Sequence, residues 1–384
     1  MINPFIFLQF DSVGSFIGLD ISAIQILPVI SIVALLFLIF MWFSNEKLFI
    51  SKVEIILLFT VPAYLLTVTF FEIIQNDWTS YYISGFLRQS LSLLVFMGMY
   101  LMFRLISNDP KYIFKGIYLG LIILIPISIF QIFNFSLGSE RLTGFSSEPS
   151  HFGHFLVFAL LPSIMILKNE IKFYRSIFLF VNMLVFLTLS LTAIVQLIIL
   201  YIVIYLNIGV RGLIVILLSI FGLLLIPAYL PDSYLVSNLQ LFSSFEAFEK
   251  GISTSASLAD RFYSSYSPLA SLGSEIKIWG NGIASDYYYF DEIVPYPANE
   301  LIAESRGDYI GLSSFFGKIV SWGGIPLLIF FILTFYNLYK EADKNLRKFS
   351  IPVFFASLYS LGSLASPYIC LWLVILRISS KKTR

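Results

Sequence analysis

The chain has 384 residues, of which 58% are hydrophobic and only 12% charged, with a mean hydropathy of +0.88. A soluble domain carries about twice that share of charge, so the composition excludes an ordinary water-soluble protein. The formal net charge of +1 argues against a nucleic-acid partner, and the single cysteine, Cys370, excludes a disulfide within the chain.

The N-terminus has no basic leader and carries Asn3, Asp11 and Asp20, so no cleavable signal peptide is expected. Nearly continuous apolar runs follow, and each needs about 20 residues to cross the hydrocarbon core. They predict helices near 21–43, 53–74, 83–105, 113–135, 150–167, 174–190, 193–208, 212–230 and 309–338. The last apolar stretch, 351–376, is broken by Gly362, Ser363, Ser366 and Pro367. It is one helix or two short ones meeting inside the protein, where broken backbone is tolerated. The expected fold is an all-α integral membrane protein with about 10–12 transmembrane helices.

Lysine and arginine in short loops set the orientation. Lys47 and Lys52 mark one cytoplasmic turn; Arg104, Lys111 and Lys115 mark another. Lys168, Lys172 and Arg175 form a third, Arg211 a weak fourth, and Lys340, Lys344, Arg347 and Lys348 the last. This alternation puts 136–149, 191–192 and 231–308 on the outer face. The basic tail from Arg377 to Arg384 prefers the cytoplasm, which favours two short crossings in 351–376. The loop 231–308 is the only large extramembrane part, and it is too short and broken to read as an independent domain. It is rich in acids, carries the aromatic run Tyr287-Tyr288-Tyr289-Phe290, and contains only four cations, Lys250, Arg261, Lys277 and Arg306. The aromatics are either sugar platforms or interfacial anchors. Lys250 and Lys277 read best as snorkelling or salt-bridged residues.

Between two apolar runs lies Arg141-Leu-Thr-Gly144-Phe-Ser-Ser-Glu148-Pro149-Ser-His151. A cation, a glycine turn, a carboxylate and a proline meet where the chain turns at the membrane surface. Ionisable groups there are costly and mark a candidate site. The alternative is an ordinary loop in which Glu148 pairs with Arg141. The only histidines, His151 and His154, are one helical turn apart with no evident third ligand, so no metal site is expected. Walker, nucleophile-elbow and Cys/His metal motifs are absent.

Arg141 and Arg261 come from separate outer loops, Arg306 lies close to the helix at 309, and Arg88 sits in the third apolar run, which begins at the outer face. Arginine forks match phosphate oxygens bidentately and keep their charge. Several arginines on an outer cavity suit a lipid-linked diphosphate, whose charge grows as it leaves. For each one alone, a snorkelling or salt-bridged role is the competing reading.

The pattern Arg141-x-x-Gly144-x-x-x-Glu148-Pro149, followed at once by an apolar helix, resembles the Wzy-type O-antigen polymerases and the related O-antigen ligases and capsule polymerases. Gly307-Asp308-Tyr309-Ile-Gly-Leu, then a helix with Gly323-Gly324-Ile-Pro-Leu-Leu, is similar to the family's late signature. Arg261 followed by Gly273 resembles its arginine-and-glycine outer loop. Ligases of the group usually place a histidine at the start of the late signature. Asp308 stands there instead, which disfavours ligase.

The resemblance implies a GT-C-type glycosyltransferase that needs no metal or cofactor. It would join undecaprenyl-diphosphate-linked repeat units on the outer face of the bacterial cytoplasmic membrane, beside a flippase and a chain-length regulator. On that expectation Arg141 and Arg261, with Arg306 and Arg88, hold the donor diphosphate, and Glu148 or Asp308 is the general base. Burial raises a carboxylate towards that task. The alternative for Asp308 is an N-cap of a helix starting at Tyr309. A ligase of the same fold and a transporter of lipid-linked sugars are the competing functions. A transporter would line a path across the whole bilayer, whereas here the strongest charges gather on one face.

Overall fold

The computed structural model describes residues 54, 56–75, 80–106, 109–133, 142–143, 149–205, 250, 255–306, 311–361 and 366–380. The helices predicted at 21–43 and 212–230, and most of the loop before residue 255, lie outside them. The described residues form helices and no strand. Five helices are long and apolar enough to cross a membrane: α1 (Ile56–Gln75), α2 (Ser80–Ile106, with its apolar span at Gly85–Arg104), α3 (Pro110–Phe133), α4 (Pro149–Ile166) and α11 (Phe315–Glu341). The chain is a multi-pass membrane protein.

Local chemistry fixes the ends of these helices. Asp109 accepts from the Lys111 N–H at 2.9 Å and Pro110 opens α3, a residue whose missing donor costs nothing at that position. Pro149 opens α4 in the same way. Leu156–Leu160 of α4 is a fully buried π-helical turn. Such a turn frees carbonyls from the regular ladder. The Phe158 carbonyl accepts from the Trp372 indole at 2.8 Å, so the irregularity stays satisfied in the apolar core.

Two shorter apolar helices follow, α5 (Tyr174–Leu187) and α6 (Leu191–Tyr205), as predicted at 174–190 and 193–208. The stretch 351–376 resolves into two helices, α13 (Ser350–Tyr359) and α14 (Pro367–Ile378), preceded by the single turn α12 (Lys344–Arg347). At 1.5 Å per residue they reach only about 15 and 18 Å, roughly half of the hydrocarbon core. They fold back on each other: Phe349, before α13, stacks on Trp372 in the middle of α14 at 6.3 Å.

The loops predicted as basic turns gather at one end of the molecule. Glu54, buried, pairs with Arg104 at 3.0 Å and Arg377 at 3.5 Å. Glu170 pairs with Lys115 at 2.9 Å and Lys111 at 3.7 Å, and Ser380 donates to Glu341 at 3.2 Å. The exposed Glu170 pairs contribute little to stability. Their value lies in showing that four separate turns share one face.

Residues 255–306 carry four helices: α7 (Ala256–Ala270), α8 (Ser285–Tyr288), α9 (Phe290–Ile293) and α10 (Ala298–Arg306). A small apolar core of Ala259, Phe290, Val294, Ala298, Ile302 and Leu312 joins α7, α9 and α10. The segment is tied to the membrane helices at many points. Ile283 N–H donates to Thr69 Oγ1 at 2.8 Å, and the Tyr64 hydroxyl donates to the Trp279 carbonyl at 2.8 Å. Lys277 reaches the buried Glu72 at 2.5 Å, which is the salt-bridged reading of that lysine.

The closest seam lies at the break in α11. Gly324 sits at φ 59°, ψ −153°, a conformation reserved for glycine, and Pro326 follows it. The interrupted helix leaves backbone groups unpaired, and the chain 278–282 takes them up. Asn281 N–H donates to Ser321 O at 2.9 Å and Gly282 N–H to Trp322 O at 3.0 Å, while Ile325 N–H donates to Ile278 O at 2.8 Å. A Cβ on Gly280 would lie 2.4 Å from the Trp322 carbonyl oxygen, so only glycine permits the approach.

Candidate functional site

Arg141, Glu148 and Asp308 lie outside the described residues. Arg88 is placed on α2 and Arg306 ends α10, but their side chains lie outside the description. Arg261 is described in full, half-buried on α7.

One expectation is corrected. The predicted helix at 309 begins at Phe315, and Ser314 caps it by accepting from the Gly317 N–H at 2.8 Å. Residues 311–314 are not helical. The Gly311-Leu312 backbone is drawn off by α8, so the capping role foreseen for Asp308 belongs to Ser314.

Arg261 stands at the meeting of three elements. One turn beyond it on α7, Ser265 donates to the Leu358 carbonyl at 2.5 Å, which sets α7 against the end of α13. Tyr359, the next residue, ends α13. Gln196 on α6 is sealed from solvent and donates from Nε2 to Ser360 Oγ at 3.1 Å. The helix of Arg261 and the buried Gln196 of α6 thus both bond to the end of α13.

The described flanks of the string 141–151 meet the end of α5 and the first turn of α6. Leu142 N–H donates to the Leu187 carbonyl at 3.2 Å, beside the turn into α6. On the other flank, Gly153 of α4 presses on Ala193 of α6; a Cβ there would lie 2.3 Å from the Ala193 Cβ. His154 is buried, stacks on Phe158 at 5.6 Å and meets Tyr368 of α14 edge-on at 6.4 Å. Two stretches far apart in sequence are therefore linked through neighbouring helices: α4, in which the string ends, packs on α6 and α14, and the Arg261 helix bonds to α13, which bonds in turn to α6.

A second polar centre was not foreseen. Asp286 on α8 is fully buried; it accepts from the Trp322 indole at 2.5 Å and from the Leu312 N–H at 3.1 Å. Burial raises its carboxyl above the usual range, more strongly than the Lys318 ammonium, the indole and the Leu312 amide lower it. The next residue, Tyr287, accepts from Gln89 Nε2 at 2.6 Å, and its ring lies 6.0 Å from the Lys318 ammonium. A Cβ on Gly311 would lie 2.5 Å from the Tyr287 ring. Successive residues of α8 therefore hold the neighbour of Arg88 and the end of the Gly307–Leu312 string. Asp286 looked in the sequence like one acid among many in the loop. The available signal was Lys318 and Trp322, four apart on one helix face.

The aromatic run 287–290 is mainly structural. Tyr287 and Phe290 are buried, and Tyr289 donates to Glu72 at 2.7 Å. Burial and Glu72 both hold the Tyr289 hydroxyl above its ordinary pKa. Tyr288 is the exposed member, at 38%.

No protein-family model matches the chain, and no curated protein matches its sequence.

Proposed function

We propose that the protein is a GT-C-type membrane glycosyltransferase, a polymerase that joins undecaprenyl-diphosphate-linked oligosaccharide repeat units on the outer face of the bacterial cytoplasmic membrane. The observation that carries this reading is the half-buried Arg261 on α7, set beside the end of α13, which bonds to α6, the helix packed on the α4 in which the Arg141–His151 string ends. In the proposed reaction a hydroxyl of the incoming repeat unit attacks the anomeric carbon of the growing glycan. The bond from that carbon to the diphosphate breaks, and the diphosphate takes the bonding electrons. Arg261 and Arg141, with Arg306 and Arg88 in support, bind the diphosphate and its growing charge. Glu148 or Asp308 takes the proton of the attacking hydroxyl.

The test is polymerisation of purified lipid-linked repeat units in liposomes. Arg261→Lys and Arg141→Lys should fail nearly as badly as the alanine variants, because lysine keeps the charge and loses the fork. Near-normal polymer from folded lysine variants would overturn the diphosphate role. The glycan pattern of a strain lacking the protein separates the competing functions. Loss of a polymerase leaves a core bearing one repeat unit, and loss of a ligase leaves bare core. Loss of a transporter blocks delivery.

A further inference from the structure

Residues 277–289 leave one level of α1 and come back to it. Lys277 and Tyr289 both bond the carboxylate of Glu72, at 2.5 and 2.7 Å, one turn from the Gln75 end of that helix. Between these two anchors the chain goes deeper. Ile283 N–H donates to Thr69 Oγ1 at 2.8 Å, and the Trp279 carbonyl accepts from the Tyr64 hydroxyl at 2.8 Å. At 1.5 Å per residue, Glu72, Thr69 and Tyr64 lie about 5, 9 and 17 Å from the Gln75 end. Tyr64 is thus close to the middle of the spanning helix Ile56–Gln75. On α11 the same stretch meets Ser321–Ile325, which starts about 9 Å in from Phe315.

Hydrocarbon offers no partner to a backbone polar group, so irregular chain at that depth has to be satisfied within the protein. The tip of 277–289 is bonded in that way. Besides the bonds to Ser321, Trp322 and Ile325, Lys277 N–H donates to Asn281 Oδ1 at 2.9 Å and Gly280 N–H to the Lys277 carbonyl at 2.8 Å. The side chains of the tip point the other way: Ile278 and Trp279 are each 56% exposed. Ile325, bonded to Ile278, and Ile329, one turn further along α11, are exposed as well. Two large apolar side chains therefore extend the open apolar side of a spanning helix. At mid-span, acyl chains are what such a side meets.

We propose that 277–289 is a re-entrant segment, entering the membrane from the Gln75 end of α1, whose tip residues Ile278 and Trp279 seat against lipid acyl chains. Lys277 stays at the level of Glu72 and Gln75, where its ammonium is bonded at 2.5 and 2.7 Å, while the two residues after it descend. Part of the loop read from sequence as extramembrane then lies in hydrocarbon. The assignment is independent of the reaction proposed above.

The test is a nitroxide spin label on Ile278→Cys and, separately, on Trp279→Cys, in full-length protein reconstituted into liposomes. Native Cys370 is buried. Label at the exposed Ser274 gives the aqueous reference, and label at Leu66, 51% exposed near the middle of α1, gives the lipid reference. Relaxation is measured with molecular oxygen, which dissolves in hydrocarbon, and with a water-soluble nickel chelate. Both tip labels should respond as Leu66 does, to oxygen and not to the chelate.

Relaxation of either tip label by the chelate, as at Ser274, would place the tip in water and overturn the proposal. Labels reached by neither reagent would place it under protein and overturn it too. Both side chains stand outside the packed core, so both variants should give monodisperse protein. Failure of both to fold would show that the tip is packed against the protein itself, which also overturns the lipid contact.

Discussion

The indole of Trp322 donates to the carboxylate of Asp286 at 2.5 Å, and both side chains are sealed from solvent. Lys318, one turn earlier on α11, is also buried and bears on the same carboxylate. Asp286→Leu would strand the indole, the Leu312 N–H and the ammonium together. A loss of about 3 kcal/mol is expected, since removing one partner of a buried charged group leaves the rest uncompensated. The apparent melting temperature in detergent measures it. The same residue sets a pH dependence. The Asp286 carboxyl binds its proton more tightly folded than unfolded. Its burial penalty is absent below about pH 4, the unfolded value, and grows as pH rises towards the folded value. Wild-type stability should therefore fall with rising pH in that window, and the slope should vanish in Asp286→Leu.

Gly324→Ala should yield little folded protein. The new Cβ would lie 2.1 Å from the Ile278 carbonyl oxygen, in a backbone conformation that disfavours any side chain. Gly273→Ala is the comparison, because that glycine also has positive φ but nothing within 4 Å. It should cost only backbone strain, about 1–2 kcal/mol. Yield of monodisperse protein separates the two; similar yields would mean that the seam at residue 278 can shift.

Cysteine at Ser274 should react with an impermeant reagent in intact cells, and cysteine at Asn169 only after the cells are opened. Both positions are exposed, and native Cys370 is buried and silent. The expectation comes from the basic turns that share one end of the molecule. The opposite labelling pattern would invert the protein and remove the proposed reaction from the outer face.

Glu148→Gln should lower the polymerisation rate roughly 10²–10⁴-fold, the usual share of a general base. Glu148 directly precedes α4, which packs on α6, the helix bonded to the end of α13 beside the Arg261 helix, whereas Asp308 precedes a segment held by α8. Asp308→Asn should retain appreciable activity. With the helix cap assigned to Ser314, an inactive but folded Asp308→Asn protein would name Asp308 as the base.

Hydropathy made the long helices legible, because about 20 apolar residues have few alternatives to spanning a membrane. The basic turns were legible for the same reason: Arg104, Lys115 and Arg377 cannot lie in hydrocarbon, and they converge on Glu54 and Glu170. Gly323-Gly324 was visible as a step in α11, but its partner, 278–282, is separated by some forty residues and has no pattern that points back to it. Asp286 was hidden for a related reason. Its acceptors are filled by Trp322 and Leu312, and a lone acid in an acidic loop looks solvated until the fold surrounds it. Asp308 at the head of an apolar run resembled a cap because sequence does not reveal where backbone is diverted to another element.

The backbone seam between 278–282 and the broken α11 bears on how such a protein can change over time. A surface loop can be exchanged for another of different length while the membrane helices stay as they are. Here the loop's own N–H and C=O groups complete an interrupted membrane helix, so the loop and that helix form one inheritable unit. Grafting a foreign segment into 255–306 would strip α11 of its partners at Ser321, Trp322 and Ile325. This segment would have to diversify by side-chain replacement on a fixed chain path, or by moving together with α11.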